Sequence, residues 1–399
     1  MEKTICELFA GVGGFRLGLE KQSKEWKTVW FSQWEPNKKN QWAHDCYVKH
    51  WGDIDKNTGI DIAKVDKKDI PKHNLLVGGF PCQDYSVAHH NAKGIEGKKG
   101  VLWWDIYNIL QEHKTPFCLF ENVDRLLKSP SKQKGKDFGI ILSCLAKLDY
   151  NVEWRVINAA DYGLTQKRKR TFIFAYKNNT KYSKTQFTYS PNEIITKNGF
   201  FAKVFPIQQI ETQLNTINLD FEDIVQISQT FKYDFNNSGY MKNGVIYTID
   251  TIPIYENPIP LKQLLESNVD EKYYIKDIEK WQDAKSSKQI ERTSKEGYKY
   301  IYRAGTMPFP DNIDLPARTM ITSESSLCRC SHVVKDPSNG RLRILTPIEA
   351  ERIQGFDDNW TNTGMPEKYR YFCMGNALVV PLITKMGVEL SDIFNKEID

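Results

Sequence analysis

Short apolar runs alternate with amphipathic or polar segments from the N-terminus to residue 177. The apolar runs have the length of buried strands, and strands are predicted at residues 4–11, 28–35, 74–80, 116–123, 151–163 and 170–177. Helices are predicted at residues 15–21, 101–112 and 139–148, with a polar helix before residue 52. Strands and helices in this order predict a doubly wound α/β sheet, which binds its ligands at the carboxyl ends of the strands.

The pattern changes after residue 178. Residues 180–300 are rich in Asn, Thr, Lys, Tyr and Ile without a strand–helix rhythm, and we interpret them as a second domain of short strands and loops. A helix start returns at Thr346, with Pro347 in the first turn, Glu349 as its capping-box partner and Gly355 as its stop. Residues 379–390 are apolar and helical and are expected to pack on the first domain. The predicted divisions are residues 1–180, 181–340 and 341–399.

Composition places the chain among ordinary globular proteins. It has 399 residues, of which 40% are hydrophobic and 26% charged, and its net charge of +5 is compatible with nucleic acid without indicating it. No apolar run is long enough to cross a bilayer. The N-terminus also lacks the basic stretch followed by an apolar stretch that a signal peptide has, so we expect a cytoplasmic protein without membrane contact. The eight cysteines are scattered, as in a reducing compartment, and the spacing of Cys328, Cys330 and His332 is not a usual zinc pattern, so no metal is expected.

A glycine-rich turn follows the first strand. It comprises Phe9, Ala10, Gly11, Val12, Gly13 and Gly14, and an acid, Glu35, ends the second strand. The spacing G-x-G-G differs from the G-x-G-x-x-G of a pyrophosphate cradle, which favours a ligand with an adenosine and no phosphates. Glu35 is expected to accept ribose hydroxyls, and Asp53 an adenine amine.

Cys82 follows an apolar strand, two glycines and Pro81. Most free cysteines are small buried hydrophobes. Here, however, Pro81 stiffens the backbone before the thiol, and Gly78 and Gly79 let ligands approach closely. The position therefore suggests a thiol presented for chemistry.

Charged residues stand at the ends of two further strands. Glu121 follows five apolar residues, so burial is expected to raise its pKa, although a surface glutamate at a strand end would fit the same pattern. Gln166, Arg168 and Arg170 would share one face of a strand, with the alternative of a basic edge strand that discourages aggregation. Lysines at 128, 132, 134 and 136 fit a phosphate-binding segment or a solvated face.

These blocks together resemble the DNA (cytosine-5) methyltransferases. The matching stretches, in the order of that family, are ELFAGVGGFRLGLE (7–20), GDI (52–54), GGFPCQDYS (78–86), ENV (121–123), QKRKR (166–170), LTPIEAERIQGF (345–356) and MGNALVVP (374–381). The resemblance covers residues 1–177 and about 341–385. The chain departs from the commonest family form at Glu7, at residues 99–103 and at Ala377.

The resemblance implies a Rossmann-like mixed sheet with a smaller, irregular target-recognition domain, and a chemistry for the site. Cys82 would attack carbon 6 of a cytosine flipped out of duplex DNA, with Glu121, Arg168 and Arg170 holding the base. S-adenosylmethionine would be held by Phe9, Ala10, Gly11, Gly13, Gly14, Glu35, Asp53, Ile54, Pro81, Leu102, Asn376 and Ala377. DNA would be contacted by Gln83, Ser86, Gln166, Lys128, Arg303 and Arg318, with Arg329 as a further candidate base reader.

Three other classes share parts of this pattern. A tRNA cytosine methyltransferase has the same catalytic blocks, although the long segment before residue 340 suits duplex reading. A nicotinamide-dependent oxidoreductase shares the sheet but not the Pro-Cys-Gln block, and a DNA-binding protein without activity would not need the full set of catalytic residues. The resemblance also suggests a bacterial monomer in a restriction-modification system, with a restriction endonuclease that acts independently.

Overall fold

The computed structural model describes residues 1–55, 57–80, 102–208, 213–219, 223–293 and 297–397. Pro81, Cys82, Gln83 and Ser86 therefore lie outside the described residues. Within the described part, no helix combines the length and the apolar character needed to cross a bilayer.

A nine-stranded mixed sheet forms the centre of the described residues. Its strands, in spatial order, are β2, β1, β3, β4, β6, β5, β9, β10 and β8. Their bounds are β1 Thr4–Leu8, β2 Lys27–Ser32, β3 Leu75–Gly79, β4 Phe117–Val123, β5 Tyr150–Asn158, β6 Lys169–Lys177, β8 Asn215–Asn218, β9 Ser238–Lys242 and β10 Val245–Ile249. The strands from β2 to β4 pair in parallel, and all later pairs are antiparallel.

The described residues also form three two-stranded sheets. They pair β7 (Ile207–Gln208) with β11 (Ile252–Pro253), β12 (Lys288–Thr293) with β13 (Lys299–Ala304), and β14 (Val333–Lys335) with β15 (Leu342–Ile344). All of them lie after residue 200. The irregular character predicted for this part of the chain therefore corresponds in part to small, separate sheets.

Helices surround the sheet. The α-helices are α1 Gly14–Gln22, α2 Trp42–Trp51, α3 Leu102–His113, α4 Lys136–Lys147, α5 Lys181–Gln186, α6 Pro191–Glu193, α7 Phe200–Val204, α8 Ile224–Thr230, α9 Ile278–Lys285, α10 Pro347–Gln354, α11 Glu367–Asn376 and α12 Val380–Lys396. A π-helix spans Ile194–Asn198, and 3-10 turns span Ile62–Lys64, Lys67–Asp69, Asp124–Lys128, Ala159–Asp161, Leu261–Gln263 and Glu271–Tyr273.

The parallel strands bury both of their faces, because successive side chains point to opposite sides of a strand. In β3, Leu76 joins a core with α3 and α4, while Leu75 and Val77 join the core under α1 and α12. Helices α1 and α12 pack closely: a Cβ on Gly18 would lie 2.6 Å from Ile383. The last helix therefore packs on the first helix of the chain.

Most predicted elements are present, and the differences have local causes. The strand predicted over 4–11 ends at Leu8, because Phe9 and Gly11 adopt positive φ. The strand predicted over 151–163 ends at Asn158, where a 3-10 turn follows. The helix predicted from Thr346 has its full capping box and ends at Gly355 in a left-handed conformation.

The central sheet continues past residue 180. Strands β8, β9 and β10 extend it from the antiparallel edge of β5, so the predicted boundary at residue 180 does not coincide with an edge of the sheet. Residues 317–374 instead contribute to a separate core with residues from α1 and α2. The assignment of DNA recognition to residues 181–340 stays a prediction.

Candidate active site

The turn after β1 is held in left-handed backbone conformations. Phe9, Gly11 and Gly13 have φ of 53°, 57° and 85°. A Cβ on Gly13 would lie 2.2 Å from the ring of Trp51, whereas nothing lies within 4 Å of a Cβ on Gly11. The Gly11 N–H donates to Gln33 Oε1 at 2.7 Å. The turn is therefore packed tightly on one side and open on the other.

The open side faces a cavity of about 590 Å³ at the carboxyl ends of the parallel strands. The end of α11 closes it from the opposite side. Of the residues predicted for the cofactor, its lining includes Phe9, Ala10, Gly11, Gly14, Glu35, Leu102, Asn376 and Ala377. The same lining includes three residues predicted for catalysis, Glu121, Arg168 and Arg170. One cavity thus joins both predicted sets.

Glu35 presents a carboxylate to this cavity. Its Oε1 accepts a hydrogen bond from the hydroxyl of Tyr369, on α11. Its Oε2 is buried and has no hydrogen-bond partner among the described residues. Burial, followed by the bond to Glu35, raises the pKa of Tyr369, so the phenol stays a donor. Because a buried acceptor without a partner is costly, Oε2 is suited to receive a hydrogen bond from a ligand.

Glu121 and Arg170 form an ion pair at the cavity wall. Arg170 Nε lies 2.8 Å from Glu121 Oε1, and both side chains are mostly buried. A Cβ on Gly79 would lie 3.3 Å from Glu121 Oε2, so the end of β3 runs close to this carboxylate. The role of proton donor predicted for Glu121 stays a prediction.

Arg168 connects three segments that are distant in sequence. Its guanidinium donates to the carbonyl of Met320 at 3.2 Å and to that of Gly375 at 3.0 Å. Burial, followed by repulsion from Arg170, lowers its pKa to about 9. Gly375 lets the end of α11 pack against the backbone near Met320, because a Cβ there would lie 2.3 Å from the backbone nitrogen of Thr322. Arg168 therefore fixes the cavity wall as well as lining it.

Gln166 lies behind the wall. It is fully buried, and its amide donates to Gln354 Oε1 at 3.1 Å and accepts from the Met320 N–H at 2.8 Å. Gln354 in turn donates to the carbonyl of Met374 at 2.6 Å. The side chain of Gln166 thus offers no exposed group to DNA in this structure. The alternating burial expected for residues 166–170 is present, although β6 begins only at Lys169.

Asn122 holds the chain where β3 ends. It is buried, its Nδ2 donates to the carbonyl of Phe80 at 2.8 Å, and its Oδ1 accepts from the Val123 N–H. Phe80 is the last described residue before Pro81 and Cys82. The backbone that leads to the predicted nucleophile is therefore fixed to β4 beside Glu121.

Other residues predicted for the cofactor lie elsewhere. Asp53 and Ile54 are exposed and are not among the lining residues of the cavity, and Asp53 accepts a hydrogen bond from Thr58 Oγ1 at 2.8 Å. Gly13 supports the turn from behind, as the contact with Trp51 shows. Pro81 lies outside the described residues.

The residues predicted to contact DNA lie in different environments. Lys128 lines a second, polar cavity of about 640 Å³, where its Nζ lies 3.5 Å from Asp234. Arg318 uses its guanidinium inside the protein, on Asp311 and on the carbonyls of Cys330 and Ser331. These hydrogen bonds hold the Arg318 guanidinium against other parts of the protein.

Two further arginines were predicted to read bases. Arg303 is exposed on β13. Arg329 is half-buried and donates to the carbonyl of Gly305. Gln83 and Ser86 lie outside the described residues. Of the arginines named for base reading, Arg303 is the one that the structure presents on an exposed strand.

The cysteines differ in their surroundings. Burial raises the pKa of the thiols at Cys6, Cys46, Cys118, Cys144 and Cys373, which keeps them protonated at neutral pH. Cys328 and Cys330 are half-buried and do not line the 590 Å³ cavity. Near them, His332 uses both ring nitrogens, toward Glu324 and the Arg318 N–H. The described residues contain no group of three His, Cys, Asp or Glu suited to a metal ion.

Sequence reasoning missed several lining residues. Gln33, Trp34, Phe372 and Cys373 all line the cavity, and Tyr369 bonds to Glu35. Gln33 and Trp34 directly precede Glu35 and follow β2, so their place at the cavity could have been predicted from the sequence. Tyr369 and Phe372 have no such signal, because their place depends on how α11 packs against a strand near the opposite end of the chain.

Comparison with known proteins identifies the family. The C-5 cytosine-specific DNA methylase family matches residues 3–392, nearly the whole chain. The chain is a C-5 cytosine-specific DNA methylase. This enzyme is 51% identical to the type II methyltransferase M.Sau3AI of Staphylococcus aureus, over 98% of this chain and 95% of that protein. It is 27% identical to the type II methyltransferase M.SsoII of Shigella sonnei, over 97% of this chain and 79% of the relative.

Solved structures confirm the fold of the enzyme. The Entamoeba histolytica methyltransferase EhMeth superposes with a TM-score of 0.60 at 16% identity, over the whole of both chains. The S. pombe Dnmt2 methyltransferase superposes with a TM-score of 0.60 at 15% identity, over 98% of each chain. The predicted family and the predicted Rossmann-like mixed sheet are therefore confirmed.

Proposed function

We propose that this enzyme transfers a methyl group from S-adenosylmethionine to carbon 5 of a cytosine within a specific sequence of duplex DNA. The observation that carries the proposal is the single cavity that joins the Glu35 end to the Glu121–Arg170 end. A methyl donor and a base must meet in one space for direct transfer, and this cavity brings both sets of residues to one space.

The cofactor end of the cavity fits an adenosine ligand. Glu35 Oε2 is buried and lacks a partner among the described residues, as a carboxylate that receives ribose hydroxyls would before the ligand binds. The backbone at Gly11 borders open space, so a ligand can approach it closely. S-adenosylmethionine, held by Phe9, Gly11, Glu35, Leu102 and Asn376, supplies an electrophilic methyl group when bound.

Cys82 is the proposed nucleophile. It lies outside the described residues, but Asn122 fixes the backbone at Phe80, just before it and next to Glu121. The buried cysteines have raised pKa values, which argues against any of them as the attacking thiolate. A thiolate suits the task because it adds to carbon 6 and also leaves again.

The remaining catalytic residues manage charge on the ring. As the Cys82 sulfur bonds to carbon 6, electron density moves toward N3 and carbon 5, and Glu121 donates a hydrogen bond or a proton at N3. Arg170 holds the Glu121 carboxyl, and it is proposed to donate to the exocyclic oxygen of the base together with Arg168. Carbon 5 would then take the methyl group as the bond between that methyl carbon and the cofactor sulfur breaks, and Glu121 would take back any proton that it gave to N3. Loss of the carbon-5 proton to a base and departure of the Cys82 thiolate restore the aromatic ring.

The target base lies inside the helix stack, so the enzyme must extrude it. Gln83, Ser86 and Lys128 are proposed to contact the DNA backbone, and residues 181–340 to read the sequence. The relatives named above are type II methyltransferases. We propose that this enzyme acts as a monomer in the bacterial cytoplasm, beside a separate restriction endonuclease.

The proposal is tested by methylating a plasmid in vitro and mapping 5-methylcytosine by bisulfite sequencing. We expect modification at one short sequence, at every occurrence, and no modification of tRNA under the same conditions. Scattered methylation, or faster transfer to tRNA than to duplex DNA, would contradict the proposal.

The nucleophile is tested by Cys82→Ser, with Cys328→Ser as the matched control. A hydroxyl adds to carbon 6 far less readily than a thiolate, so transfer should fall by a factor on the order of 10⁴ or more, while S-adenosylmethionine still binds. Cys328 does not line the cavity, so its variant should transfer methyl groups at the wild-type rate. Near wild-type transfer by Cys82→Ser would overturn the assignment.

A further inference from the structure

The ribbon of β12 and β13 is mostly exposed. It belongs to no larger sheet among the described residues, and most of its side chains are exposed, including those of Ile290 and Ile301. A two-stranded hairpin is only marginally stable in water by itself, and exposed apolar side chains at this density mark a binding surface.

The base of the ribbon is fixed to the protein. Lys285, just before β12, is 1% exposed; its Nζ donates to the carbonyl of Ser331 at 2.6 Å, and its carbonyl accepts from the Met307 N–H at 2.8 Å. After β13, the carbonyl of Gly305 accepts from Arg329. Both strands therefore leave an ordered base, which limits the conformational entropy that binding would cost.

The ribbon is basic. Its two strands carry four cations, Lys288, Arg292, Lys299 and Arg303, against one acid, Glu291. This positive charge complements the phosphates of DNA. Lysines also protect strand edges from pairing with other chains, so charge alone does not decide the partner.

The two faces of the ribbon differ in their chemistry. Residues that pair directly across the strands share a face, and the pairing places Gln289 opposite Arg303. Their face is exposed at all six positions, which are Gln289, Glu291, Thr293, Lys299, Ile301 and Arg303. On the other face Tyr302 and Ala304 are half-buried, and Arg292 lies 4.1 Å from the centre of the Tyr302 ring. The Gln289–Arg303 face is therefore the outward one.

Arginine and glutamine are the side chains that recognise purines in the major groove. Arginine pairs with both acceptors of guanine and glutamine with the amine and N7 of adenine, and the groove is wide enough to admit a two-stranded ribbon. We propose that this ribbon enters the major groove of the substrate DNA and that Arg303 and Gln289 read a guanine and an adenine there. The inference rests on the function proposed above and names the residues that set its sequence specificity.

The test compares Arg303→Ala, Arg303→Lys and Gln289→Ala with Lys262→Ala. Lys262 is an exposed cation that pairs with Asp314, and neither residue belongs to the ribbon, so its variant controls for the loss of one charge. For each protein, kcat/KM is measured on the wild-type target and on targets with one base pair changed, and bisulfite sequencing of a plasmid records the methylated sequences.

We expect Arg303→Ala to lose discrimination on the order of 10- to 100-fold at a guanine position, and Gln289→Ala at an adenine position. Arg303→Lys keeps the charge but not the bidentate fork, so it should bind DNA with the wild-type salt dependence and still lose discrimination. Lys262→Ala should keep the wild-type sequence.

Unchanged discrimination, within about twofold, in both Arg303→Ala and Gln289→Ala would overturn the inference. A loss that is equal on all sequences would do the same, since it indicates a phosphate contact. If the wild-type enzyme itself produced no 5-methylcytosine, the proposed function would fail instead, so the two failures are distinguishable. Thermal melting of each variant verifies that the fold is intact.

Discussion

At the scale of single residues, the hydrogen bond between Tyr369 and Glu35 connects the two walls of the cavity. Glu35 lies three residues after the end of β2, and Tyr369 belongs to the first turn of α11. One carboxylate oxygen is thereby fixed, and the other remains for a ligand. The bond orients Glu35 before S-adenosylmethionine arrives, which makes Tyr369 a positioning residue.

This role predicts the behaviour of Tyr369→Phe. Without the hydroxyl, Glu35 is free to rotate, so KM for S-adenosylmethionine should rise several-fold, on the order of 1 kcal/mol of lost binding, with a smaller change in kcat. The measurement is steady-state kinetics together with calorimetric titration of the cofactor.

Tyr371→Phe is the matched control on the same helix. Tyr371 is buried and donates to the carbonyl of Leu345 at 2.7 Å, away from the cavity. Its variant should lower Tm and leave KM for the cofactor unchanged. An equal rise in KM for both variants would show that Tyr369 acts through the general stability of α11.

The sequence predicted the site at this scale only where a motif carries the chemistry. Glu121, Arg168 and Arg170 were predicted from their strand-end positions and meet in one cavity. The buried bonds of Gln166 and Arg318 were not foreseen, because an exposed and a buried polar side chain look the same in a sequence. Their partners lie in segments that only the fold brings together.

At the scale of elements, the sheet is continued by strands from the second half of the chain. Strand β9 pairs with β5, where Gly239 lies against the indole of Trp154. A Cβ on Gly239 would lie 2.0 Å from the Trp154 ring, so the strands pack this closely only with glycine at that position. The contact fixes residues 238–249 to the catalytic part of the enzyme.

Gly239→Ala should therefore be destabilising. The added methyl group must displace a buried Trp154, with an expected loss of about 1–3 kcal/mol in the free energy of unfolding. Gly305→Ala is the control, because nothing lies within 4 Å of a Cβ there, and it should stay within about 0.5 kcal/mol of the wild type. Equal denaturant midpoints for the two variants would contradict the close contact between Gly239 and Trp154.

The strand–helix rhythm predicted the parallel half of the sheet well, because β3 and β4 begin as apolar runs buried on both faces. The antiparallel extension was not predicted. Strand β8, Asn215–Asn218, contains three polar residues in four, and it pairs with β10, which follows only after α8 and β9. The local pattern of hydrophobic and polar residues in β8 does not show that β10 is its partner.

At the scale of the whole molecule, buried carboxyl groups make stability depend on pH. Burial raises the pKa of Glu7 and of Glu153 to about 7. The unfolded chain ionises these groups near pH 4.5, so it releases protons that the folded protein retains. Their contribution to stability is full below pH 4.5 and is lost as the pH rises through about 7.

Glu153→Gln should reduce this dependence. The glutamine oxygen can still accept from Tyr182, which donates to Glu153 at 3.1 Å, but it has no charge to bury. Between pH 5 and 8 the wild type should lose up to about 3 kcal/mol more than the variant. Tm measured across this range tests the difference, with Glu112→Gln, an exposed position, as the control. If Tm changed equally with pH in the wild type and in both variants, Glu153 would not be a source of the pH dependence of stability.

The cavity has a consequence for biosynthesis. One wall comes from residues 9–35 and the opposite wall from residues 372–378, and α12 must then pack on α1. Chains fold from the N-terminus during synthesis. Here, however, residues 9–35 form the closed cavity only together with residues 372–378. A nascent chain on the ribosome therefore has no closed cofactor site until residues 372–378 have emerged.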